Sequence, residues 1–304
     1  MSNPSISIII PTYNRPYLLP RAVQSVLDQT VDDYEIVVVD DGSPEPVKLA
    51  EHPRLRVIHL PKNQGSAAAR NAGARAARGR WIMYLDDDDR LLPHMLEVSL
   101  KGLTNTNLPQ PVAVLSGLEV VNVAGQVIDT RCPPTLPKGS HFFLEEIEPE
   151  KSFLSKQTLV VERELFLSIG GYDETFQSRV HTELFLRLNP VCSIVGLPTV
   201  TYQLIAHEGP RISYNPALRQ VSFRHLISKH QAIFRAHPKM FSDFVYQHAR
   251  TSYQLGQKRA AFASLLWALK LHPVHILSKA SQFLKLKLGL KNSAAATTLS
   301  ENLP

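Results

Sequence analysis

Four consecutive carboxylates, Asp86-Asp87-Asp88-Asp89, follow an apolar run at residues 81–85. Adjacent carboxylates repel one another and raise each other's pKa unless a cation neutralises them. Oxygen-only ligands suit Mg²⁺ or Mn²⁺, and Mg²⁺ usually binds one or two carboxylates together with substrate phosphates. Asp86 and Asp88 are two residues apart, so on an extended backbone they would point the same way. We therefore predict a divalent metal site here; the alternative is a solvated acidic turn that caps a helix at Pro93.

Two further polar segments follow apolar, β-branched runs that are typical of buried strands. Pro-Thr-Tyr-Asn-Arg at residues 11–15 follows one such run, and Asp40-Asp41-Gly42-Ser43 follows another. In open α/β sheets a ligand binds outside the carboxyl ends of the strands. These two segments and the four aspartates should therefore face one crevice.

A segment rich in glycine and alanine, residues 63–73, lies between Asp40-Asp41-Gly42-Ser43 and the four aspartates. Gly65 permits an unusual backbone conformation, and Ser66 is a good N-cap for a following helix. The alanines at 67–69 let a flat ligand approach closely, and Arg70 is long enough to reach a phosphate or a ribose. The alternative is an alanine-rich packing helix with a surface arginine. The segment is not a dinucleotide fingerprint, because no G-x-G-x-x-G follows the first strand.

The elements that must position these residues alternate between strand and helix. Apolar periodicity predicts strands at 5–10, 35–39, 55–60 and 81–85 and helices at 17–29 and 66–78. Such alternation implies a parallel sheet with helices on both faces. Further on we predict strands at 112–115, 118–123 and 159–161, a loop at 131–140 and a short helix at 162–169. Four helices follow at 217–236, 239–256, 258–271 and 273–288, and the small polar residues 293–304 are expected to be disordered.

The composition limits the classes of protein to which this chain can belong. The chain has 304 residues, 44% of them hydrophobic, a net charge of +6 and a sequence pI of about 9.3. Two cysteines make neither a disulfide framework nor a metal–thiolate site. We expect no signal peptide and no membrane-spanning helix, because we find neither a basic segment followed by an apolar one at the start nor a run of the ~18–20 apolar residues that cross a bilayer. We expect a cytoplasmic protein that does not bind nucleic acid and is either soluble or peripheral to the inner face of the membrane.

Four motifs in order carry a family resemblance: Ile8–Arg15, Val37–Ser43, Asn63–Gly73 and Tyr84–Asp89, followed by Gly-Gly-Tyr-Asp-Glu at 170–174. Over residues 5–215 the sequence resembles family 2 inverting glycosyltransferases of the GT-A fold. The resemblance implies an α/β nucleotide-binding sheet with helices on both faces, followed by an all-helical C-terminal extension. It also implies a nucleotide-sugar donor and a metal that bridges the diphosphate.

The resemblance assigns roles to matching positions. The nucleotide pocket would be lined by Pro11, Thr12, Tyr13 and Arg15, with Tyr13 near the base. Asp41 would accept a hydrogen bond from a uracil-type N–H, and Arg70 would help to hold the nucleotide. Asp86 and Asp87 would lie against ribose and phosphate, and Asp88 would ligate Mn²⁺ or Mg²⁺. The loop that follows the last core strand would bring His207 or Arg211 to the diphosphate; the alternative is an ordinary surface loop.

An inverting transfer also needs a general base for the acceptor hydroxyl. Members of the family usually carry Glu-Asp before a run such as Asp-Leu-Trp-Leu-Arg-Leu, and this chain has Val180-His181 in that place. His181 is one candidate, because an imidazole can take a proton near neutral pH. Glu183 is the second candidate, and a packing or helix-capping histidine is the alternative to both.

These observations predict three parts of the chain. Residues 1–215 would form the catalytic domain, in which residues up to about 110 bind the donor and residues 111–215 bind the acceptor. Residues 216–292 would form the helical extension, and residues 293–304 would form the tail. The predicted reaction moves a sugar from a nucleotide-sugar donor, which we expect to be a UDP-sugar, to a saccharide or lipid-linked acceptor in cell-surface polysaccharide or glycoconjugate synthesis. The alternatives are a non-catalytic nucleotide-sugar-binding or scaffold protein, and a nucleotidyltransferase, whose glycine-rich, lysine-bearing loop is missing.

The C-terminal helices carry lysines among apolar residues, for example Lys270 and Lys279, and no acidic residue between Trp267 and Leu290. A basic helix with an apolar side can lie in a membrane interface that contains anionic lipid. The alternative is that this apolar side packs within the protein while the lysines face water.

Overall fold

A computed structural model describes residues 3–206 and 215–287 of the chain. The described residues divide into two compact units. Residues 3–142 and 147–206 form the first, and residues 143–146 and 215–287 form the second. All of the predicted site residues that the structure describes lie in the first unit.

The first unit is built on one mixed sheet. Within the described residues its strand order is β3-β2-β1-β4-β8-β6-β9-β5, and β7 pairs with β6. The strands are β1 Ile6–Thr12, β2 Tyr34–Asp40, β3 Leu55–His59, β4 Trp81–Tyr84, β5 Arg90–Leu91, β6 Val112–Asn122, β7 Val127–Arg131, β8 Val160–Glu162 and β9 Ser193–Ala206. The helices are α1 Leu19–Leu27, α2 Ser66–Ala76, α3 Met95–Thr104, the 3₁₀-helix Phe153–Thr158, α4 Arg163–Ser168 and α5 Val180–Leu188.

The first four strands are parallel, as the sequence predicts. The β-branched residues of β1 and β2 are buried, which is typical of strands covered on both faces. Thr12 is level with Asp40, and Ile9 is level with Tyr84, so β1, β2 and β4 end at the same edge of the sheet. Helix α2 packs closely on β1, because a Cβ on Gly73 would lie 2.3 Å from the Ile9 side chain.

The second half of the sheet departs from the prediction. Strand β8 runs antiparallel to both β4 and β6, so the parallel arrangement does not extend through the whole sheet. The two strands predicted at 112–115 and 118–123 are one strand, β6, whose register shifts around Gly117. A Cβ on Gly117 would lie 2.9 Å from the carbonyl oxygen of Pro198, so glycine permits this irregularity in the strand. Strand β7 was not predicted.

The second unit is helical, as predicted. Its helices are α6 Pro216–Lys229, α7 Gln231–Ala236, α8 Pro238–Gln254, α9 Lys258–Leu271 and α10 Pro273–Lys287. The side chain of Asn215 caps α6 by accepting hydrogen bonds from the backbone N–H groups of Ala217 and Leu218. Aromatic rings fill the centre, where Phe223 stacks on His248 at a centroid distance of 3.7 Å. None of the helices among the described residues is both long enough and apolar enough to cross a membrane.

Candidate active site

The four aspartates form a turn at the carboxyl end of β4. The backbone N–H of Asp89 donates to the carbonyl of Asp86 at 3.0 Å, so the chain folds back where an extended backbone was expected. The turn brings carboxylate oxygens of Asp86, Asp88 and Asp89 within 4.8 Å of one another. The sequence analysis grouped Asp86 with Asp88 because it assumed an extended backbone, whereas the two are brought together by a turn. It gave Asp89 no separate role.

Asp89 is the buried member of these three carboxylates. It accepts hydrogen bonds from the Tyr202 hydroxyl at 2.7 Å and from the Ile205 N–H at 2.9 Å, both on β9. Burial, together with the charges of Asp86 and Asp88, raises the pKa of Asp89 well above its usual range. Three carboxylates that repel one another at this distance are a donor set that fits a hard divalent cation such as Mg²⁺ or Mn²⁺.

Two arginines and a threonine donate hydrogen bonds to Asp86, Asp87 and Asp88. The Arg15 guanidinium bridges Asp87 at 2.8 Å and Asp88 at 2.9 Å, and the Thr12 hydroxyl donates to the other oxygen of Asp87 at 2.6 Å. Arg70 donates to Asp86. Burial would raise the pKa of Asp86, but the charge and hydrogen bond of Arg70, together with the charges of His181 and Arg15, lower it. The structure therefore brings together the predicted residues of β1, α2 and the acidic turn.

The loops that follow β1, β2 and β3 interlock beside this cluster. Asp41 is buried, and its carboxylate accepts the backbone N–H groups of Gln64 and Gly65, both at 2.8 Å. The Asn14 N–H donates to the Ser43 hydroxyl at 2.8 Å. Gly42 has φ +72°, and a Cβ there would lie 2.4 Å from the carbonyl carbon of Lys62. The three loops form one rim, which we call the interlocked rim.

Pro11 and Tyr13 lie at the same rim. Pro11 is partly buried, and Tyr13 is 44% exposed, so its ring is open to a ligand. Both follow the buried part of β1 directly, at the edge of the sheet where the acidic turn lies.

Asn71 of α2 fastens the Gly-Gly-Tyr-Asp-Glu turn to the site. Its side-chain amide donates to the Tyr172 carbonyl and to Glu174, and its oxygen accepts the Tyr172 N–H, each at 2.8 Å. Gly171 has φ +63°, and a Cβ there would lie 2.5 Å from the Asn71 oxygen. The Tyr172 ring is buried, and the Arg70 guanidinium lies over it at 5.7 Å. The sequence analysis did not single out Asn71, although it lies within a quoted motif.

His181 lies in the first turn of α5, beside the same tyrosine. Its ring is 5.3 Å from the Tyr172 ring and nearly perpendicular to it. Burial, aided by the charges of Arg70 and Lys156, lowers the pKa of His181 to about 3, against an opposing effect of Asp86. The imidazole is therefore neutral at pH 7 and has a nitrogen lone pair.

Glu183 is fully buried and belongs to a different set of contacts. Its carboxylate takes two hydrogen bonds from Arg187, one of them from Nε at 2.8 Å. Arg187 also donates to the carbonyls of Ile169 and Gly171, so the pair supports the glycine turn. Glu183 is therefore held in this pair with Arg187, whereas His181 packs against Tyr172; which of them acts as the base stays a prediction. His207 and Arg211 lie outside the described residues.

The sheet, the acidic turn and the interlocked rim together define a GT-A architecture. Residues 7–115 match the sequence model of glycosyl transferase family 2. The protein's fold is similar to that of the glycosyltransferase TarS of S. aureus, solved in complex with UDP-GlcNAc, with a TM-score of 0.61 and 16% identity over 91% of this chain and 83% of that one. Residues 7–115 thus match the family 2 glycosyltransferase model, and the fold is similar to that of a GT-A-type glycosyltransferase, so the resemblance drawn from the motifs is confirmed.

Curated relatives have the same domain. An uncharacterized glycosyltransferase of Haemophilus influenzae is 30% identical over 60% of this chain and 61% of its own length. The succinoglycan biosynthesis protein ExoO of Rhizobium meliloti is 36% identical over 40% of this chain and 36% of its own. The putative colanic acid biosynthesis glycosyl transferase WcaA of Escherichia coli is 40% identical over 33% of this chain and 38% of its own. The chain thus spans less than two thirds of the length of each of these relatives.

Proposed function

We propose that the chain transfers a sugar from a UDP-sugar to an acceptor hydroxyl, with inversion at the anomeric carbon and with the help of Mn²⁺ or Mg²⁺. The observation that carries the proposal is the acidic turn, with three carboxylates whose oxygens lie within 4.8 Å of one another beside Arg15 and Arg70. The UDP-GlcNAc complex of TarS supports a nucleotide-sugar donor. The names of ExoO and WcaA support a role in polysaccharide synthesis.

The interlocked rim is suited to a uridine. Tyr13 offers an exposed ring for a base, and Pro11 and Thr12 shape the start of the pocket. Each Asp41 carboxylate oxygen accepts one backbone N–H, and each keeps a lone pair for a ring N–H of uracil. These groups hold the base without any movement of the main chain, because their hydrogen bonds to neighbouring loops already fix them.

Asp86, Asp88 and Asp89 would hold the metal, and Asp87 would stay with Thr12 and Arg15. A bound divalent cation supplies Lewis-acid stabilisation of the charge that develops on a departing nucleoside diphosphate. Arg15 already contacts the acidic turn, and its guanidinium can be shared with a phosphate oxygen. Arg70 holds Asp86 in place through an ion pair, and its buried guanidinium also lies over the Tyr172 ring.

His181 would accept the proton of the acceptor hydroxyl. Its ring is held against Tyr172. A pKa of about 3 keeps the imidazole neutral at pH 7 but makes it a weak base, so the proposal requires the negative charge of the bound donor to raise that pKa. The alternative function is a scaffold, because Val180-His181 stands where the motif of the resembled family has Glu-Asp. The two functions differ in one measurable respect, since a scaffold would bind the donor without turning it over.

Calorimetry of UDP binding tests the metal assignment. We expect Mn²⁺ to strengthen UDP binding to the unmodified chain by at least about 10-fold, and Asp88→Asn to abolish that gain. Asp32→Asn is the matched control, because this exposed aspartate pairs with Arg54 away from the site. If Mn²⁺ strengthens UDP binding equally in the unmodified chain and in Asp88→Asn, the metal assignment is refuted. Turnover of the donor by the unmodified chain would exclude the scaffold function.

We also propose that the second unit contacts an anionic membrane. In α9, Phe262 is 63% exposed and Leu266 47%, and in α10 Val274 is 75% exposed and Leu277 60%. Ile276, by contrast, is buried, so only part of the apolar side packs within the unit. Residues 244–287 contain lysines and arginines and no acid. Each basic residue near an anionic surface contributes about 1 kcal/mol.

Flotation with liposomes tests this contact. We expect the full chain to float with vesicles that contain anionic lipid, and the double variant Phe262→Ser, Leu266→Ser to lose most of that binding. Val123→Ser is the control, because Val123 is an apolar residue of the first unit that is 75% exposed. The proposal would be contradicted if the full chain floated equally with neutral and anionic vesicles. It would also be contradicted if the double variant floated as well as the control.

A further inference from the structure

One of the two cysteines of the chain directly follows β7 and lies beside a lysine. The Lys151 ammonium donates to the Cys132 sulfur, with its Nζ 3.4 Å from Sγ. The contact of the same thiol with the Pro133 carbonyl is longer, at 4.0 Å. Within the described part of the chain, Lys151 forms no ion pair with a carboxylate, so its closest polar partner is this sulfur. Neither residue belongs to the acidic turn or to the interlocked rim.

The main chain holds this cysteine and this lysine next to each other. Cys132 and Lys151 form a parallel β-bridge. The Ser152 N–H donates to the Cys132 carbonyl at 2.7 Å, and the Lys151 N–H donates to the Glu148 carbonyl at 2.9 Å. Paired residues on adjacent strands lie about 5 Å apart and project to the same face. The contact between thiol and amine therefore follows from backbone pairing and not from one side-chain conformation alone.

The two cysteines differ in how easily a solute can reach them. Cys192 is fully buried, its thiol donates to the Ser193 carbonyl at 3.4 Å, and burial raises its pKa to about 12. Near neutral pH it stays a protonated and unreactive thiol. Cys132 and Lys151 are both partly exposed, so a small solute can reach them. A lysine ammonium beside a cysteine is also an arrangement that favours the reactive thiolate.

We propose that Cys132 and Lys151 are the site of a reversible oxidative crosslink, which fastens the end of β7 to the segment before the 3₁₀-helix. The oxidant is a peroxide. The crosslink would add a covalent bond between two segments that now meet through the β-bridge and the Ser152 hydrogen bond. This inference concerns a part of the first unit that has no role in the proposed transfer of a sugar, and it stands independently of that function.

The reaction consumes one peroxide and releases two waters. The Cys132 thiolate attacks the peroxide, the O–O bond breaks, and the sulfur gives up two electrons to become a sulfenic acid. The hydroxide that leaves takes a proton from the Lys151 ammonium and becomes the first water. The neutral amine then attacks the sulfur. An S–N bond forms, the S–O bond breaks, and the hydroxyl leaves with an amine proton as the second water. Sulfenic acids condense with nitrogen in this way to give sulfenamides, which can be reversed.

Peptide mapping after peroxide treatment tests the crosslink. The full chain is reduced, treated with hydrogen peroxide near neutral pH, and digested with trypsin for mass spectrometry. Trypsin cuts after arginine and unmodified lysine, so a crosslink at Lys151 joins peptide 132–138 to peptide 139–156. The joined product is two hydrogen atoms lighter than the two peptides together. Dimedone, added in a parallel reaction, labels any sulfenic acid that the lysine has not trapped.

Two variants separate the charge of the lysine from its amine. Lys151→Met removes both, whereas Lys151→Arg keeps the charge without a nucleophilic amine. Lys101→Met is the matched control, because Lys101 is a lysine of the first unit that pairs with Glu97 at 2.7 Å. Cys192 serves as the internal control for the thiol, because it is present in every sample and is buried.

We expect the joined peptides from the unmodified chain and from Lys101→Met, and their loss from both Lys151 variants. In these two variants Cys132 should be found as the dimedone adduct instead. Dithiothreitol should restore the separate peptides. The crosslinked chain should melt at least about 5 °C above the reduced chain, because the new bond closes a loop from residue 132 to residue 151. The reduced Lys151 variants should melt like the reduced unmodified chain, since this lysine is partly exposed.

Three results would overturn the crosslink. One is oxidation of Cys132 to a sulfenic or sulfinic acid in the unmodified chain without any joined peptides. Another is a disulfide between two copies of the chain through Cys132. The third is a Cys132 that peroxide modifies no faster than the buried Cys192. A crosslinked chain that melts no higher than the reduced chain would refute the fastening of β7. None of these measurements involves UDP or a metal, so a failure of the proposed function leaves their outcome unchanged.

Discussion

Substitution of Asn71 by alanine should destabilise the first unit far more than loss of an ordinary polar side chain. Asn71 is 5% exposed, and two of its three hydrogen bonds are to the main chain of Tyr172, which is 2% exposed. A buried N–H or C=O that loses its partner costs about 1–2 kcal/mol. The third bond, to the exposed carboxylate of Glu174, contributes roughly 0.5 kcal/mol. The expected loss is therefore about 3 kcal/mol, or roughly 6–12 °C in melting temperature for a unit of this size.

Urea unfolding followed by tryptophan fluorescence and circular dichroism measures this loss. Asn122→Ala is the matched control, because Asn122 also makes three hydrogen bonds, all of them solvent-exposed, in the turn between β6 and β7. The control should cost less than about 1 kcal/mol, since water replaces exposed partners. Asn71→Asp keeps the acceptor and removes the donor, so it should also destabilise the unit. Equal costs for Asn71→Ala and Asn122→Ala would show that burial does not set the energetics of this junction.

Two other outcomes follow from the site and the sheet. His181→Ala should lower turnover by about 10²-fold or more and leave UDP affinity intact, whereas Glu183→Gln should mainly lower the melting temperature; the reverse pattern, measured by steady-state kinetics and calorimetry, would exchange their roles. Burial would raise the pKa of Glu35, but hydrogen bonds from Ser7, Arg78 and Arg56 outweigh it and lower the pKa. The stability from this carboxylate is then present above its usual pKa near 4.5 and lost as the pH falls through the lowered value. Urea midpoints should show Glu35→Gln less stable than the unmodified chain at pH 7, with a gap that narrows below about pH 4; a constant gap would refute the pairing.

The sequence predicts the donor half of the sheet well, because its signals are local. Strands β1 and β2 are β-branched runs that end in polar residues, and each of these ends lies where it was expected. The regular helices of the second unit are also marked locally, by prolines at Pro216, Pro238 and Pro273.

The site contacts that the sequence does not predict are long-range or depend on a turn. Asn71 meets Tyr172 from 101 residues away, and Asp89 meets Ile205 from 116 residues away. No periodicity links such positions. The acidic turn replaces the extended backbone on which the pairing of Asp86 with Asp88 was predicted, and only the turn explains why Asp89 joins them.

The interlocked rim has a consequence for how donor preference can change. Asp41 and Gly42 contact the loop at residues 62–65, and Ser43 contacts the loop at Asn14, so a substitution that moves one loop also displaces the others. Altering the nucleotide preference by single replacements at these positions would then cost stability before it gave a new pocket. Evolution or engineering of the donor site should proceed through exchange of all three loops together, or through residues such as Tyr13, whose exposed ring can be replaced without breaking the rim.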